Sequence, residues 1–228
     1  MTKYLWSPLT EDGNVRWLKY SFGPGTANTM AIRDTDGAWV VISPSTKTPS
    51  AALDALVKEG QVKALVANNG FHHLGQAQWR ERFPHAVSYA PQGALARLKA
   101  KAAGIPFQPL GALKTGPGLA FLVPDGLKVP DLLVMANAGD ETVWFSGDLV
   151  SNTGPEDLAL PVRLLFTLVG GGTGFRFNKM PSLVYLKDRA AWNGSVRAWL
   201  GAGPSIVLPA HGDPLVDNAA ARSLRIVA

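Results

Sequence analysis

The stretch that most constrains the fold of this chain is a polar turn at residues 68–75, Asn-Asn-Gly-Phe-His-His-Leu-Gly. It follows an apolar run, Val62 to Ala67, that predicts a buried strand, and it precedes a short helical pattern, Gln76 to Arg82. Mixed α/β proteins place their binding groups at such turns, where strands end. The turn carries two of the four histidines of the chain, His72 and His73. We therefore expect it to form part of a functional site.

Two further polar turns also follow apolar runs. Asp148 comes directly after the run 142–145 and a Ser-Gly pair, and His211 comes after the run 206–208 and a Pro-Ala pair. Both residues are therefore candidates for the same site. His85 lies next to a proline outside any such turn, and we predict that it is a surface residue.

The first half of the sequence predicts a hairpin and then alternating helices and strands. The β-rich runs Thr29 to Arg33 and Trp39 to Ile42 flank the turn sequence Asp-Thr-Asp-Gly. Thr48-Pro49 predicts an N-cap followed by a proline at the first helical position, and Gly60 predicts the helix end. Beyond the histidine turn we predict a strand at 86–89 and a helix at 92–103.

The second half predicts strands followed by a long helix. Three apolar runs with turn sequences between them predict consecutive antiparallel strands: 119–123, 132–137 and 142–145. An amphipathic helix from Lys187 to Leu200 precedes a strand at 206–208, and a last helix begins at about Asn218. This order of elements predicts an α+β protein with two sheets packed face to face and helices outside.

Composition excludes several classes of protein. The 228 residues contain no linker-like segment, so we expect a single domain, residues 1–228. There is no cysteine, so a metal would be held by histidine and carboxylate. The 22 Lys and Arg residues, against 17 Asp and Glu, are scattered along the chain. This distribution argues against a nucleic-acid partner and predicts at most a mild attraction for anionic substrates.

Localisation is predicted from two segments. Residues 1–6 lack the apolar core of a signal peptide. The longest apolar stretch, Leu158 to Gly172, contains Pro161 and Arg163 and is too broken to cross a bilayer. We therefore predict a cytoplasmic protein with no membrane partner. The glycine-rich segment at 170–174 lacks the Lys-Ser/Thr of a phosphate-binding loop, and we interpret it as a mobile connection.

The order of these turns resembles the metallo-β-lactamase-fold superfamily, with the resemblance running from about residue 30 to 215. That resemblance implies a four-layered αββα sandwich with a metal centre at one edge of its sheets. The first family motif, His-x-His-x-Asp-His-x-Gly, falls on Asn68, Gly70, His72, His73 and Gly75. The remaining family positions are a bridging aspartate, a final histidine and a Gly-His-Thr-Pro-Gly element, which fall on Asp148, His211 and residues 127–131.

The same resemblance implies that one of the two family metal sites is lost. The first metal would meet Asn68, Gly70 and Lys128; glycine offers no side-chain ligand and an ammonium repels a cation. The second metal would meet four residues that all carry ligand atoms: His72, His73, Asp148 and His211. We therefore predict one divalent metal, with Zn²⁺ as the first choice and Fe²⁺, Mn²⁺ or Ni²⁺ as alternatives.

Two functions remain open at this point. The first is a mononuclear metal-dependent hydrolase acting on a small-molecule ester, thioester, lactone or phosphoester, with Asp148 as a metal ligand or as the acceptor of a proton from water. Four protein ligands would close a tetrahedral zinc site, so this function needs five-coordination or a detached Asp148. The second is a family member without hydrolytic activity that binds a ligand or a structural metal. Redox chemistry at a single iron is a third, lesser alternative.

Lys128 carries a separate prediction. Because the family places a metal-binding histidine at this position, we expect the Lys128 ammonium to point into the cleft beside the vacated first site. There it would supply a positive charge near Asp148 or a developing oxyanion, as a catalytic residue.

Overall fold

The computed structural model describes residues 4–168 and 172–228 and has two β-sheets at its centre. The larger sheet has seven strands whose spatial order follows the chain. They are β1 (Ser7–Pro8), β2 (Val15–Ser21), β3 (Thr26–Arg33), β4 (Trp39–Ile42), β5 (Val62–Val66), β6 (Val87–Ala90) and β7 (Phe107–Pro109). β3 and β4 form the predicted hairpin, and β4 to β7 pair in parallel.

Helices cross between the parallel strands: α1 (Ser50–Val57), α2 (Gln76–Arg82) and α3 (Leu95–Lys101). Parallel neighbours require such crossovers, because each strand ends at the edge opposite to the start of the next. The N-cap of α1 is Pro49 and not Thr48, whose Oγ1 donates to the Ser45 carbonyl at 2.9 Å. The helix predicted at 92–103 is divided, since a 3-10 turn at Gln92–Ala94 precedes α3. That turn contains glycine, a weak helix former.

The smaller sheet contains the three antiparallel strands predicted for the second half. Its order is β13 (Ile206–Leu208), β10 (Glu141–Phe145), β9 (Leu133–Ala138) and β8 (Leu119–Leu122). β13 joins parallel to β10. β11 (Val150–Thr153) pairs with β12 (Gly174–Phe177) in a separate two-stranded ribbon. Gly170 and Gly171 of the expected mobile connection lie outside the described residues.

The second half also contributes four helices: α4 (Leu160–Leu168), α5 (Lys179–Tyr185), α6 (Arg189–Leu200) and α7 (Ala219–Ile226). α6 is the predicted amphipathic helix. Asp188 caps it by accepting hydrogen bonds from two backbone N–H groups of its first turn. α4 and α5 were not predicted from the sequence. Within the described residues, no helix is long and apolar enough to cross a membrane.

The buried side chains define four layers. Val40, Ile42, Val66, Phe145 and Leu208 belong to the core between the two sheets. A second cluster fills the space between the larger sheet and its helices, around Trp39 and Trp79. A third lies outside the smaller sheet, where Trp144 meets Trp192 of α6. Helices therefore cover the outer faces of both sheets, which is the predicted αββα sandwich.

Four strands bring their following turns to one edge of the sandwich. Ser43 follows β4, residues 68–75 follow β5, Ser146 to Asp148 follow β10, and Pro209 to His211 follow β13. β4 and β5 are parallel to each other, and so are β10 and β13, so each pair ends on the same side of its sheet. Gly75 is required here, because a Cβ at this position would collide with the carbonyls of Pro44 and Ser45.

Candidate metal centre

Three of the predicted ligands meet at this edge. His72, Asp148 and His211 each offer a ligand atom, and these atoms all lie within 4.8 Å of one another. The Nε2 atoms of His72 and His211 lie 3.0 and 3.5 Å from Asp148 Oδ1. Three side chains that are more than 60 positions apart in sequence therefore converge on one point.

The His72 ring is oriented by Ser43. The Ser43 Oγ lies 2.5 Å from His72 Nδ1, so Nε2 presents a lone pair when Nδ1 carries the proton and donates to this hydroxyl. Ser43 is fully buried and has a φ of +54°, a backbone conformation that is costly for a residue with a Cβ. Its carbonyl accepts a hydrogen bond from Thr29 Oγ1 at 2.7 Å, which helps to hold this conformation.

The His211 ring is oriented by the backbone of β3. Its Nδ1 lies 2.7 Å from the Thr26 carbonyl, which can only accept, so Nδ1 carries the proton and Nε2 faces Asp148. Asn28 holds the surrounding turn, since its Nδ2 donates to the carbonyls of Pro209 at 2.8 Å and Gly212 at 2.6 Å. These contacts hold the ring with its Nε2 towards Asp148, the orientation that a metal-binding histidine would need.

Asp148 is buried and has one satisfied and one unsatisfied oxygen. Its Oδ2 accepts from Tyr185 Oη at 2.8 Å and Asn69 Nδ2 at 2.9 Å. Its Oδ1 faces the two imidazoles and has no hydrogen-bond donor. Burial raises the pKa of Asp148, but the two neighbouring imidazoles, His72 first and then His211, outweigh burial and lower that pKa well below its usual value. Burial lowers the pKa of His211, and its interaction with Asp148 outweighs burial and raises that pKa.

A second buried carboxyl group, Asp131, supports Asp148 from behind. Asp131 Oδ2 accepts from the Asp148 backbone N–H at 2.8 Å, and its Oδ1 accepts from the Asn68 and Asn69 side chains at 3.1 and 3.0 Å. Gly147 allows this approach, because a Cβ there would lie 2.5 Å from Asp131 Oδ2. Burial, followed by the negative charge of Asp148, raises the pKa of Asp131. The side chain of Asn68, at a family ligand position, is therefore used in holding Asp131.

His73 is not brought to the cluster. In the described chain, the group of potential ligands at this edge contains His72, Asp148 and His211 only. His73 is next to His72 in a tight turn, where consecutive side chains diverge, and its Nδ1 is buried without a hydrogen-bond partner. Burial lowers its pKa, and the nearby charge of Arg97 adds to that effect. The expected fourth protein ligand is therefore missing from the arrangement.

Lys128 is not in the cleft either. Its side chain is exposed, and its backbone N–H donates to the Tyr185 carbonyl at 2.7 Å. The family element placed on residues 127–131 matches the sequence only at Pro130, and the inward-facing residue of this segment is Asp131, with 1% of its surface exposed. The predicted position of the Lys128 ammonium beside Asp148 is wrong.

The space beside Gly70 is filled by Arg97. A Cβ at Gly70 would lie 2.7 Å from Arg97 Cδ, and the Arg97 Nε donates to the Gly70 carbonyl at 3.2 Å. The Arg97 guanidinium lies 3.9 Å from the centre of the Phe71 ring. A larger residue at position 70 would have to displace this side chain.

The three ligand residues open onto a cavity of about 320 Å³. Tyr20 and Tyr185 also line it, with six apolar residues: Phe22, Ala27, Pro44, Phe71, Leu74 and Pro181. Burial and then the negative charge of Asp148 raise the pKa of Tyr185, so its hydroxyl keeps its proton and remains a donor. The volume is at the small end of the range for ligand sites, about 300–1,000 Å³.

The geometry of the triad fits a divalent metal. Ligand atoms about 2.1 Å from an ion lie about 3.0 Å apart at right angles and about 3.4 Å apart in a tetrahedron. The separations of 3.0 and 3.5 Å from Asp148 Oδ1 are close to these values, and all three ligand atoms lie within 4.8 Å of one another. The unsatisfied Asp148 Oδ1 and two oriented imidazoles are the donor set that zinc and related transition metals prefer.

Comparison with solved structures finds metallo-β-lactamases across the whole chain. The DIM-1 metallo-β-lactamase, in a crystal structure of the enzyme exposed to ceftazidime, has a TM-score of 0.66 and 14% identity, covering 99% of this chain and 97% of that chain. The metallo-β-lactamase from Hirschia baltica has a TM-score of 0.61 and 14% identity, covering 99% and 98%. That from Pontibacter korlensis has a TM-score of 0.62 and 14% identity, covering 98% of each chain. No family model and no curated protein matches the sequence.

The chain therefore has the metallo-β-lactamase fold, which confirms the fold predicted from its ordered turns. Ser43, Asn69, Asp131 and Tyr185 are site residues that were not predicted from the sequence. Of these, Asn69 and Asp131 had a usable signal, since each is a polar residue next to a matched family position. Ser43 had a weaker one, as a polar residue directly after a predicted strand.

Proposed function

We propose that this protein is a mononuclear metal-dependent hydrolase of the metallo-β-lactamase fold that acts on a small acyl compound. The observation that carries the proposal is the number of converging ligands. Three protein ligands, His72, Asp148 and His211, line an open cavity. Catalytic zinc sites have three protein ligands and an open position, whereas structural sites have four. His73 is not part of the converging group, which supports a site with an open position for water.

A divalent ion bound by these residues would lower the pKa of a bound water to about 7 and polarise a substrate carbonyl. Other residues of the protein would orient the three ligands. Ser43 and the Thr26 carbonyl hold the two imidazoles in the tautomers that leave Nε2 free. Tyr185 and Asn69 hold Asp148 by its Oδ2, so that its Oδ1 faces the two imidazoles, where it would serve as the third ligand of the ion. The open cavity would then admit the attacking water beside this ligand set.

Two observations support the proposed substrate class. The solved structures compared above are metallo-β-lactamases, and one of them was exposed to ceftazidime. An ester, thioester, lactone or cyclic amide presents the same reacting group, a carbonyl carbon bonded to a leaving group. A phosphoester remains a less favoured substrate, since the described residues that line the cavity include no lysine or arginine to neutralise a phosphate.

A second function is favoured by one specific observation. The hydrogen-bonded side chains of Asp131, Asn68 and Asn69, together with Arg97 beside Gly70, occupy the positions that the family uses for its first metal site. Such a region suits a member of this fold that holds a metal and a ligand without hydrolysis. The two functions differ in whether the metal-loaded protein turns over an acyl substrate.

The test uses purified protein stripped with a chelator and then given one equivalent of Zn²⁺, Mn²⁺ or Fe²⁺. We expect hydrolysis of p-nitrophenyl acetate, a thioester or a γ-lactone to appear with the metal and to be lost on chelation. His72→Ala should abolish it, whereas the matched change in the next residue, His73→Ala, should leave most of it. Metal binding without turnover of any substrate in this panel would favour the second function, and equal losses in both variants would contradict the ligand assignment.

A further inference from the structure

The cavity has an apolar wall that lies directly beside the ligand triad. We define the wall as Phe22, Pro44, Phe71, Leu74 and Pro181. Among the described residues lining the cavity there is neither lysine nor arginine, and Asp148 is the only carboxylate. The net positive charge of the chain therefore does not extend to the surface that a substrate would contact.

The wall exposes large apolar side chains that a ligand could cover. Phe22, Phe71 and Leu74 keep 38%, 37% and 65% of their surface accessible to solvent. Covering exposed apolar surface with an apolar ligand is favourable, because it removes that surface from water. Contiguous apolar surface in a cleft is also typical of a binding site. All three side chains line the same cavity, so a single apolar group could cover them together.

The aromatic part of the wall is held in place before a ligand arrives. The Phe71 ring is stacked on Tyr185, with centroids 5.6 Å apart and planes 14° apart, and the Arg97 guanidinium lies 3.9 Å from its centre. The Phe22 ring packs edge-on against the His211 imidazole at 5.7 Å. A chain lying on this wall would therefore run directly from the metal ligands, without a gap between the reacting group and its binding surface.

We propose that the apolar wall binds the neutral aliphatic chain of the acyl substrate, so that the enzyme is selective for uncharged acyl groups of medium length. The hydrolytic part of this inference rests on the proposed function. A carboxylate or phosphate on the distal end of the chain would lose water in a cavity that Arg97, although stacked on Phe71, does not line, and it would lie near the Asp148 carboxylate. The wall therefore selects for chain length and against distal negative charge.

The reaction that the wall would serve is simple hydrolysis. The oxygen of water bonds to the acyl carbon, and the bond from that carbon to the leaving oxygen breaks. One proton of the water passes to the leaving group and the other is released, leaving an alcohol and a carboxylate. No oxidant, reductant or further substrate is needed.

The first arm of the test measures kcat/KM of the Zn²⁺-loaded protein for p-nitrophenyl esters from acetate to octanoate. We expect an increase of about fourfold for each methylene that reaches the wall, from the transfer free energy of a buried CH₂. The hydrogen adipate ester, which ends in a carboxylate, should react at least about tenfold more slowly than the hexanoate. Equal rates across the chain lengths, or a faster adipate, would overturn the proposal.

The second arm compares two exposed leucines. Leu74→Ser should lower the ratio of octanoate to acetate kcat/KM about tenfold, because it removes a large apolar side chain from the wall. Leu5→Ser is the matched control, since Leu5 is similarly exposed, at 57%, and lines a different cavity. An unchanged ratio in Leu74→Ser, or an equal loss in Leu5→Ser, would contradict the assignment.

A binding measurement separates this inference from the proposed function. N-phenyl-1-naphthylamine, a neutral apolar fluorophore, should bind to the metal-loaded protein, be displaced by 1-octanol, and bind at least about fivefold more weakly to Leu74→Ser than to Leu5→Ser. If no ester is cleaved and this pattern holds, the hydrolase proposal fails and the apolar site stands. If esters are cleaved without dependence on chain length and the fluorophore does not bind, the wall proposal fails alone.

Discussion

Removing the Tyr185 hydroxyl would show how much one hydrogen bond to Asp148 contributes to the stability of the protein and to its metal affinity. It donates to Asp148 Oδ2 at 2.8 Å, and both groups are buried. A hydrogen bond to a charged group contributes about 1.5–3 kcal/mol. Tyr185→Phe removes this bond and leaves the ring that stacks on Phe71. We therefore expect the free energy of unfolding of the metal-free protein to fall by about 2 kcal/mol.

Two assays follow from that value. For a chain of this length, 1 kcal/mol corresponds to about 2–4 °C, so Tm should fall by about 4–8 °C. In the metal-loaded protein Asp148 loses one of its two orienting donors, and losing such a partner lowers metal affinity about 10- to 100-fold. Competition with a fluorescent zinc chelator measures this affinity directly.

The control is Tyr89→Phe, which removes a hydroxyl from a tyrosine of the core between the sheets that does not contact Asp148. It should leave metal affinity unchanged. If Tyr185→Phe also leaves both Tm and metal affinity at the values of the unsubstituted protein, the hydrogen bond to Asp148 is not what orients the carboxylate, and our description of the site is incorrect.

Three further predictions concern groups around the site. Asn28→Ala should lower metal affinity about tenfold, as measured by chelator competition, because the Asn28 amide holds the carbonyls on both sides of His211. The control is Asn193→Ala, which removes an exposed hydrogen bond from an amide to a carbonyl and should leave metal affinity unchanged. Asp157→Asn should lower the free energy of unfolding at pH 7 by about 2 kcal/mol, since it removes one of the two carboxylates that pair with the buried Lys19 ammonium, Asp213 being the other. Burial raises the pKa of Asp157, but its hydrogen bonds to Lys19 and other donors outweigh burial and lower that pKa below its usual value. The stabilisation by the ionised carboxylate is therefore present above about pH 4 and is lost as the pH falls further. In urea unfolding, the difference in stability between Asp157→Asn and the unsubstituted protein should be smaller at pH 3 than at pH 7. Lys128→Ala should leave metal content and kcat/KM unchanged. A loss of kcat/KM at unchanged metal content would show that Lys128 contributes to the site.

Much of the fold could be predicted because local signals agreed with the final packing. The hairpin around Asp34 to Gly37, the helix Gln76–Arg82 and the strand Ile206–Leu208 have clear turn or periodicity signals, and the structure places them within a few residues of the predictions. The helix at Leu160–Leu168 was missed because Pro161 was interpreted as an interruption of an apolar stretch, although proline is favoured in the first turn of a helix. The single-domain organisation over residues 1–228 and the cytoplasmic location remain predictions.

The site was only partly predictable because its geometry depends on tertiary contacts. His72 and His73 are indistinguishable in the sequence, and only the turn geometry decides that His72 faces Asp148. Asp131 was assigned to a glycine position of a poorly matching element, although it is the buried partner of the Asp148 backbone. The backbone of this loop pairs with Tyr185 at Lys128 and with Asn69 at Asp131, and no local pattern encodes these tertiary contacts.

The proposed metal centre holds one divalent ion between His72, Asp148 and His211. The most direct measurement is the zinc content per chain, determined by inductively coupled plasma mass spectrometry. The protein is first reconstituted with excess Zn²⁺, and loosely bound ions are then removed. We predict about one equivalent in the unsubstituted protein, in His73→Ala and in His85→Ala, and almost none in His211→Ala. Two tightly bound equivalents, or full retention of the metal in His211→Ala, would contradict the account.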